Sequence, residues 1–209
     1  MSLPSHALRR AVGEIDIYLF DQILRGRFDG LSAVLDAGCG AGRNLVWFLA
    51  NGYDVHAIDG DPAAVEATRA LFARLAPGLP PANVQRGALD QLPWPDASMD
   101  AVLSSAVLHF ASDDQQFQRM LRELWRVLRP GGLLFARLAS STGIERALPR
   151  LTGRVRLPDG SDRYVVSEAV LLTWTDALEG ELLDPIKATN VQGLRSMTTW
   201  TMRKRGALR

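Results

Sequence analysis

The sequence predicts an α/β protein built on a mostly parallel sheet, and three observations predict it. Strand-like and helix-like runs alternate from about Leu31 onward, the pattern of repeated βαβ units. A glycine-rich loop follows the first of these apolar runs, where such sheets place a ligand-binding turn. The 209 residues, 47% of them apolar, suffice for one α/β domain with a full core and not for a second large one.

The elements follow in order. The first strand is expected over Ala33–Asp36, entering the loop Ala37–Gly42. A helix then carries Leu45, Phe48 and Leu49 on one face, and Asn51-Gly52 ends it. Tyr53–Ile58 reads as the second strand, and Asp61-Pro62 as N-cap and first-turn proline of a helix to about Leu75. Beyond the breaker cluster Pro77–Pro81 comes a short third strand, Val84–Gly87, and then a fourth, Ala101–Ser105. Ser112 and Gln115 form a capping-box pattern before a helix whose Phe117, Leu121, Leu124, Trp125 and Leu128 recur at spacings of three and four. Its Arg119, Arg122, Arg126 and Arg129 fall largely on the other, solvated face.

Pro130-Gly131-Gly132 turns into a fifth strand, Leu133–Leu138. Residues Ser140–Tyr164 lack clear periodicity and hold a turn at Pro158-Asp159-Gly160. Ser167 caps a helix through Leu178, and two β-rich segments, Leu182–Val191 and Ser196–Arg203, close the chain around a hairpin turn at Gln192-Gly193. The stretch from Leu8 to Phe28 is expected to be helical, with Ile15, Tyr18, Leu19 and Ile23 inward, and residues 1–30 to form an N-terminal extension or lid on a domain of residues 31–209.

Charge excludes as much as it suggests. The 24 basic residues nearly balance 23 acidic ones, for a net charge of +1, so no global field argues for nucleic acid or a membrane surface. Two of the 24 are lysines (Lys187, Lys204) and the other 22 arginines, an imbalance read as genomic bias. Cys39 is the sole cysteine, so neither an intramolecular disulfide nor a thiolate-built zinc site is expected. His6, His56 and His109 match no metal-ligand spacing, and no metal is expected. The opening MSLPSHALRR is not a signal peptide, and no window approaches the about 18 apolar residues of a membrane span. A cytoplasmic location is the expectation.

The informative segment runs Val34-Leu35-Asp36-Ala37-Gly38-Cys39-Gly40-Ala41-Gly42-Arg43-Asn44. Three glycines at alternate positions let the backbone turn sharply and approach a ligand closely, and the helix start beyond them offers unpaired N–H groups. A dinucleotide fingerprint would need a third glycine where Arg43 stands. Asp36 would repel a pyrophosphate but can hold the cationic end of an amino-acid-bearing cofactor. About 20 residues beyond the loop Asp59 ends the second strand, where an acid accepts ribose hydroxyls. Asp61 already fills the cap role, which frees Asp59 for a ligand.

Taken together, D-A-G-C-G-A-G-R-N, A-I-D-G-D-P, L-P-W-P-D-A-S-M-D-A-V-L-S-S and L-R-P-G-G-L-L resemble the class I S-adenosylmethionine (SAM)-dependent methyltransferases in order and spacing, from Leu31 to about Ala139. Tyr18…Phe20-Asp21 and Arg195–Trp200 look most like small bacterial members grouped with the tellurite-resistance type. The resemblance implies a Rossmann-like, seven-stranded, mostly parallel sheet with helices on both faces and the last strand antiparallel. It implies SAM as cofactor, with S-adenosylhomocysteine as product. It places Asp36 and the backbone of Gly38, Cys39 and Gly40 at the methionine part, and Asp59 with Gly60 at the ribose. Ala88 and Leu89 would border adenine, and Ser105 and Ala106 the methionine end. Many members have an Asp where this chain has Ala88, so the adenine amino group would fall to backbone near Leu89 or to Asp90. Cys39 reads as a small buried side chain and not as a nucleophile.

The sulfonium is already a good leaving group, so alignment is the enzyme's main task, and a base is needed only if the acceptor must lose a proton. His109, just past the fourth strand, is the candidate catalytic residue, as base or as acceptor-orienting group, and a packed core imidazole is the alternative. Arg146, Arg150, Arg154, Arg156 and Arg163 lie in the segment about 140–165, where the resemblance implies a substrate cover, and they suit an anionic acceptor or merely a solvated loop. Tyr18, Arg9 and Arg10 are candidate lid residues. Ser-Ser-Ala-Val after the fourth strand lacks the Asn/Asp-Pro-Pro-aromatic tetrad of base-amine methylation, and the only Cys sits in the cofactor loop, which argues against cytosine-ring chemistry. A small-molecule acceptor with an O, N, S or heavier soft-atom nucleophile remains. Competing readings are a catalytically silent SAM-binding regulatory or scaffold module and a nicotinamide-dependent oxidoreductase, the latter weakened by Arg43. Oligomeric state is not legible.

Overall fold

The computed structural model describes residues 5–206. Helices α1 (Ser5–Val12) and α2 (Ile17–Leu24) precede strand β1 (Ala33–Ala37), helix α3 (Val46–Ala50), strand β2 (Asp54–Asp59) and helix α4 (Pro62–Leu75). Strands β3 (Val84–Arg86) and β4 (Met99–Ser105) lead to helix α5 (Asp114–Val127) and strand β5 (Leu128–Ala139). Strands β6 (Gly153–Arg156) and β7 (Asp162–Val165), helix α6 (Glu168–Ala177) and strands β8 (Gly180–Leu182), β9 (Lys187–Val191) and β10 (Arg195–Lys204) complete the chain.

The main sheet runs β3-β2-β1-β4-β5-β10-β8, with β9 also paired to β10. Pairings from β3 through β5 are parallel, and β10 lies antiparallel to β5. The expected seven-position sheet with an antiparallel last strand is therefore present. Its outer position is split: β8 pairs with the end of β10 and β9 with its beginning. The single strand expected over Leu182–Val191 is interrupted at Leu183–Ile186, where Pro185 has no N–H for the ladder.

Alternation along the strands sends side chains to two faces. Leu35, Val102, Leu134 and Leu138 pack with Phe117, Leu121, Leu124 and Trp125 of α5, Leu171 of α6 and Trp200. Val34, Val55, Leu103 and Phe135 pack on the other face with Leu19 of α2, Phe48 of α3 and Val65 and Phe72 of α4. Fully burying each such side chain stabilises by roughly 1.5–3 kcal/mol, whereas a surface ion pair contributes about 1 kcal/mol or less. The apolar stripe, not the arginines, therefore holds α5 in place. Arg126 nonetheless ties the loop before β4, bonding the carbonyls of Leu92 and Trp94 and the carboxylates of Asp96 and Glu123.

Several expected elements change in detail. The N-terminal stretch is two helices, because Gly13 adopts φ +66° and Asp16 caps a new start by accepting from Tyr18 N. The cap of α5 is Asp113, which accepts from Gln116 N, one residue later than the Ser112–Gln115 pattern. Strand β5 begins at Leu128 and runs through Pro130–Gly132, its register with β4 shifting between Met99 and Ala101. The aperiodic segment after β5 holds a β6–β7 hairpin whose tip is the expected Pro158-Asp159-Gly160 turn, closed by Gly160 N on Leu157 O at 2.9 Å. Asp61 caps α4 and Ser167 caps α6 as expected. Among the described residues no helix is long and apolar enough to cross a membrane.

Candidate active site

The strand order reverses between β1 and β4, and at such a switch point the carboxyl ends of the strands leave a crevice for a ligand. The glycine loop leaves β1 there, Asp59 ends β2, and Ser105-Ala106 end β4. Between them lies a cavity of about 410 Å³, walled by Gly38, Cys39, Gly40, Asp59, Gly60, Leu89, Ser105 and Ala106, with Val107 and Phe110 at its edge. Eight of the ten residues expected at a cofactor thus share one wall. Asp36 lies one layer beneath the loop, and Ala88 is exposed and off the wall. Asp90 is also off the wall, held by Arg119 at 3.4 Å.

The loop's shape is fixed from within. Gly38 N and Cys39 N both donate to Ile58 O, Gly42 N to Cys39 O, and Gly40 N to Asp59 Oδ2 at 2.8 Å. These four amides are spent within the turn, so the glycines offer close approach, and α3 itself starts only at Val46, beyond Arg43 and Asn44. Gly38 has φ +86°, and a Cβ there would fall 2.3 Å from Val107 Cγ2. Gly40 has φ +53° and open space where a Cβ would stand, which keeps that part of the wall clear. Burial pushes the Cys39 thiol up to about 12, and its sulfur rests against Thr68 Oγ1, so it offers no thiolate at neutral pH.

Asp36 is the electrostatic anomaly. Its side chain is 1% exposed and neither carboxylate oxygen has a partner. Burial raises its pKa to about 7, offset in part by Arg43 and reinforced by Asp59. A buried carboxylate without a hydrogen bond is costly unless a cation arrives to face it. Asp59, by contrast, is anchored, each oxygen accepting one amide: Gly40 N, and Asp61 N at 2.9 Å. Each oxygen keeps a further lone pair for a hydroxyl.

A second cavity, about 260 Å³, adjoins the first through Ala106. Ala106 holds φ +66°, an unusual conformation for a non-glycine residue, and donates its N–H to Arg137 O at 2.7 Å. His109 lines this second cavity, and its Nδ1 accepts the Ala139 N–H at 3.3 Å. The neutral ring must then carry its proton on Nε2. Burial, with Arg163 and Arg137 nearby, lowers its pKa to about 4.

Sequence reasoning missed Asp16 and Arg137. Asp16 is buried; its N–H donates to Asn44 Oδ1, and its Oδ2 receives Ser105 Oγ at 3.3 Å and Arg137 Nη1 at 3.1 Å. Arg137 also stacks over the Tyr18 ring at 4.9 Å, and Tyr18 Oη shares a hydrogen bond with Thr189. The Asp16-x-Tyr18 cap was the one local signal; the partners lie up to 121 residues away. Of the arginines singled out after β5, Arg163 alone lines either cavity. Arg150 and Arg154 border a separate surface depression with Ser112 and Asp114, and Arg156 faces Asp162 at 3.9 Å. Arg146 is exposed, and Arg9 and Arg10 are exposed away from both cavities.

Residues 35–136 match the methyltransferase domain family. This stretch, just under half of the chain, is similar to methyltransferase domains. The uncharacterized methyltransferase YodH of Bacillus subtilis is 33% identical over 117 residues, 56% of this chain and 44% of that protein. A malonyl-[acyl-carrier protein] O-methyltransferase of Serratia marcescens is 36% identical over 110 residues, 52% of this chain and 39% of that one. The chain thus spans less than half the length of either relative. In fold, the methyltransferase domain is similar to the Burkholderia thailandensis 1,6-didemethyltoxoflavin-N1-methyltransferase solved with its substrate and S-adenosylhomocysteine, at TM-score 0.68 and 20% identity over 96% of this chain and 82% of that one. The residues present fit SAM, the cofactor that the resemblance implies: an orphaned buried carboxylate for an ammonium, an anchored carboxylate for a diol, and a glycine wall that admits close approach.

Proposed function

We propose that this protein transfers a methyl group from SAM to a small-molecule acceptor bound in the cavity beside His109. The observation that carries the reading is the pair of adjoining cavities sharing Ala106: one walled by the glycine loop, Asp59 and Leu89, the other by His109. A SAM-binding module without catalysis would have no need of an open space there. The Burkholderia neighbour, solved with bound 1,6-didemethyltoxoflavin, supports a small acceptor.

In this reading SAM supplies an electrophilic methyl on a sulfonium that leaves as neutral S-adenosylhomocysteine. Asp36 provides the negative charge beneath the loop for the ammonium, Asp59 accepts the ribose hydroxyls with Gly60 alongside, and Leu89 packs on adenine. With Ala88 and Asp90 off the wall, backbone near Leu89 is left to recognise the adenine amino group. Ser105 and Ala106 border the methionine end. His109 acts as a neutral Nε2–H donor that orients the acceptor, not as its base. Residues 5–24 cover the junction through Asp16 and Tyr18, a lid tied down by Arg137 and Thr189. Catalysis is alignment in a partly enclosed site.

Calorimetric titration with SAM, S-adenosylhomocysteine and NADH tests this reading. SAM and its product should bind, NADH should not, and Asp59→Ala should weaken the first two by about tenfold or more, as expected for losing charge-assisted hydrogen bonds. A folded protein that binds neither SAM nor S-adenosylhomocysteine overturns the proposal.

A further inference from the structure

The second cavity is electrostatically lopsided. Three guanidinium groups reach its wall, Arg137 from β5, Arg163 from β7 and Arg195 from β10, against one carboxylate, Asp159. Arg137 is committed to Asp16 at 3.1 Å. Arg163 is stacked on the Phe110 ring at 5.0 Å, with Nη1 on the Asp162 carbonyl at 2.7 Å, and neither it nor Arg195 has a carboxylate at ion-pair distance among the described residues. Asp159 Oδ1 accepts from Ser161 N and Oγ, and these bonds, with Arg195 and Arg163 acting more weakly, hold its carboxyl below the ordinary range. Three guanidinium groups and the His109 Nε2–H thus face a single carboxylate on this wall, which leaves the cavity with an excess of donors and positive charge.

We propose that the acceptor is a small organic carboxylate whose carboxylate group is held by Arg163 and Arg195 and receives a hydrogen bond from His109 Nε2–H. This rests on the methyltransferase reading and adds the substrate class to it. A guanidinium presents two parallel N–H groups at the spacing of a carboxylate's oxygens, and a partly enclosed site strengthens that pairing. A cavity of about 260 Å³ sits at the low end for small-molecule sites, which limits the ligand to a compact molecule. Ala106 and His109 come from the stretch 35–136 that matches the family, whereas Arg163 and Arg195 come from the β6–β7 hairpin and β10, outside it. The two groups proposed to hold the carboxylate therefore lie outside the matched stretch.

The test uses the full chain saturated with S-adenosylhomocysteine and titrated at low ionic strength with benzoate and glutarate, beside benzamide and phenyl phosphate, with His109 ring signals followed by NMR. A carboxylate should bind at least about tenfold more tightly than the amide and raise the His109 pKa from about 4 to about 5 or higher, because a nearby anion favours the imidazolium. The double variant Arg163→Gln/Arg195→Gln should lose about tenfold or more of that affinity while binding S-adenosylhomocysteine within about twofold of the parent. Equal binding of benzamide, tighter binding of phenyl phosphate, an unchanged double variant, or no response to either carboxylate each overturns the proposal. Failure to bind S-adenosylhomocysteine would instead bring down the methyltransferase reading itself.

Discussion

Ala106 and His109 show how single residues divide the labour of the site. Ala106 takes a left-handed conformation that costs about 1 kcal/mol for a residue with a Cβ, and it lies where the two cavities meet. Its place after β4 was readable from the sequence, but its strain was not, since nothing in Ser-Ala-Val marks a positive φ. His109 was readable as a site residue and ambiguous in role. The Ala139 N–H decides the tautomer, and that contact joins residues 30 apart. Replacing His109 by Gln keeps a donor near the Nε2 position and removes any imidazole base. We expect kcat to fall by about tenfold or less, whereas losing a general base typically costs about 10²–10⁴-fold. A loss beyond about 100-fold, together with disappearance of an acid limb near pH 4, would restore His109 as the base.

Among the elements, the N-terminal pair of helices was least legible, though Asp16 between them bonds Ser105 and Arg137. Periodicity placed Ile15, Tyr18, Leu19 and Ile23 inward; in the structure Leu19 is buried and the other three are partly buried against the same core. It could not show that the chain breaks at Gly13 and restarts at Asp16, nor that Asp16 reaches Ser105 and Arg137. Likewise the β6–β7 hairpin was hidden because its strands are short and arginine-rich, Gly153–Arg156 and Asp162–Val165. Asp16→Ala removes an N-cap worth about 1 kcal/mol and leaves Arg137, whose Nε is already buried without a partner, without its carboxylate as well. Amide hydrogen exchange in residues 17–24 should accelerate by about fivefold or more, as a 1 kcal/mol loss of local stability requires, and S-adenosylhomocysteine should bind more weakly. Unchanged exchange and unchanged affinity would show that the cover is held by other contacts.

At the scale of the whole molecule, topology was the most legible property. Alternating apolar runs marked a mostly parallel sheet, and the resemblance implied an antiparallel last strand; the order β3-β2-β1-β4-β5-β10-β8, found in the structure, puts Asp36, Asp59 and Ser105 at one end of the sheet. What the pattern could not carry was charge in three dimensions, which here governs the response to pH. Asp36 is raised from 3.8 to about 7 in the fold, so between those values the folded chain binds a proton the unfolded chain lacks, and stability falls as pH rises through that window. His109, lowered from 6.5 to about 4, acts in the opposite sense: stability is lost as pH falls through its window. On the proposed pairing of the ligand's ammonium with ionised Asp36, affinity for S-adenosylhomocysteine should drop about tenfold per pH unit below 7. The most direct test of the account is Asp36→Asn at pH 8, read by calorimetric titration and by thermal melting. Since Asp36 has no hydrogen-bond partner to lose, the account predicts opposite movements: S-adenosylhomocysteine affinity falls by at least about tenfold while the ligand-free protein melts at a higher temperature. Unchanged affinity, or a variant that melts lower without ligand, would contradict the claim that this carboxylate is held in reserve for the cofactor.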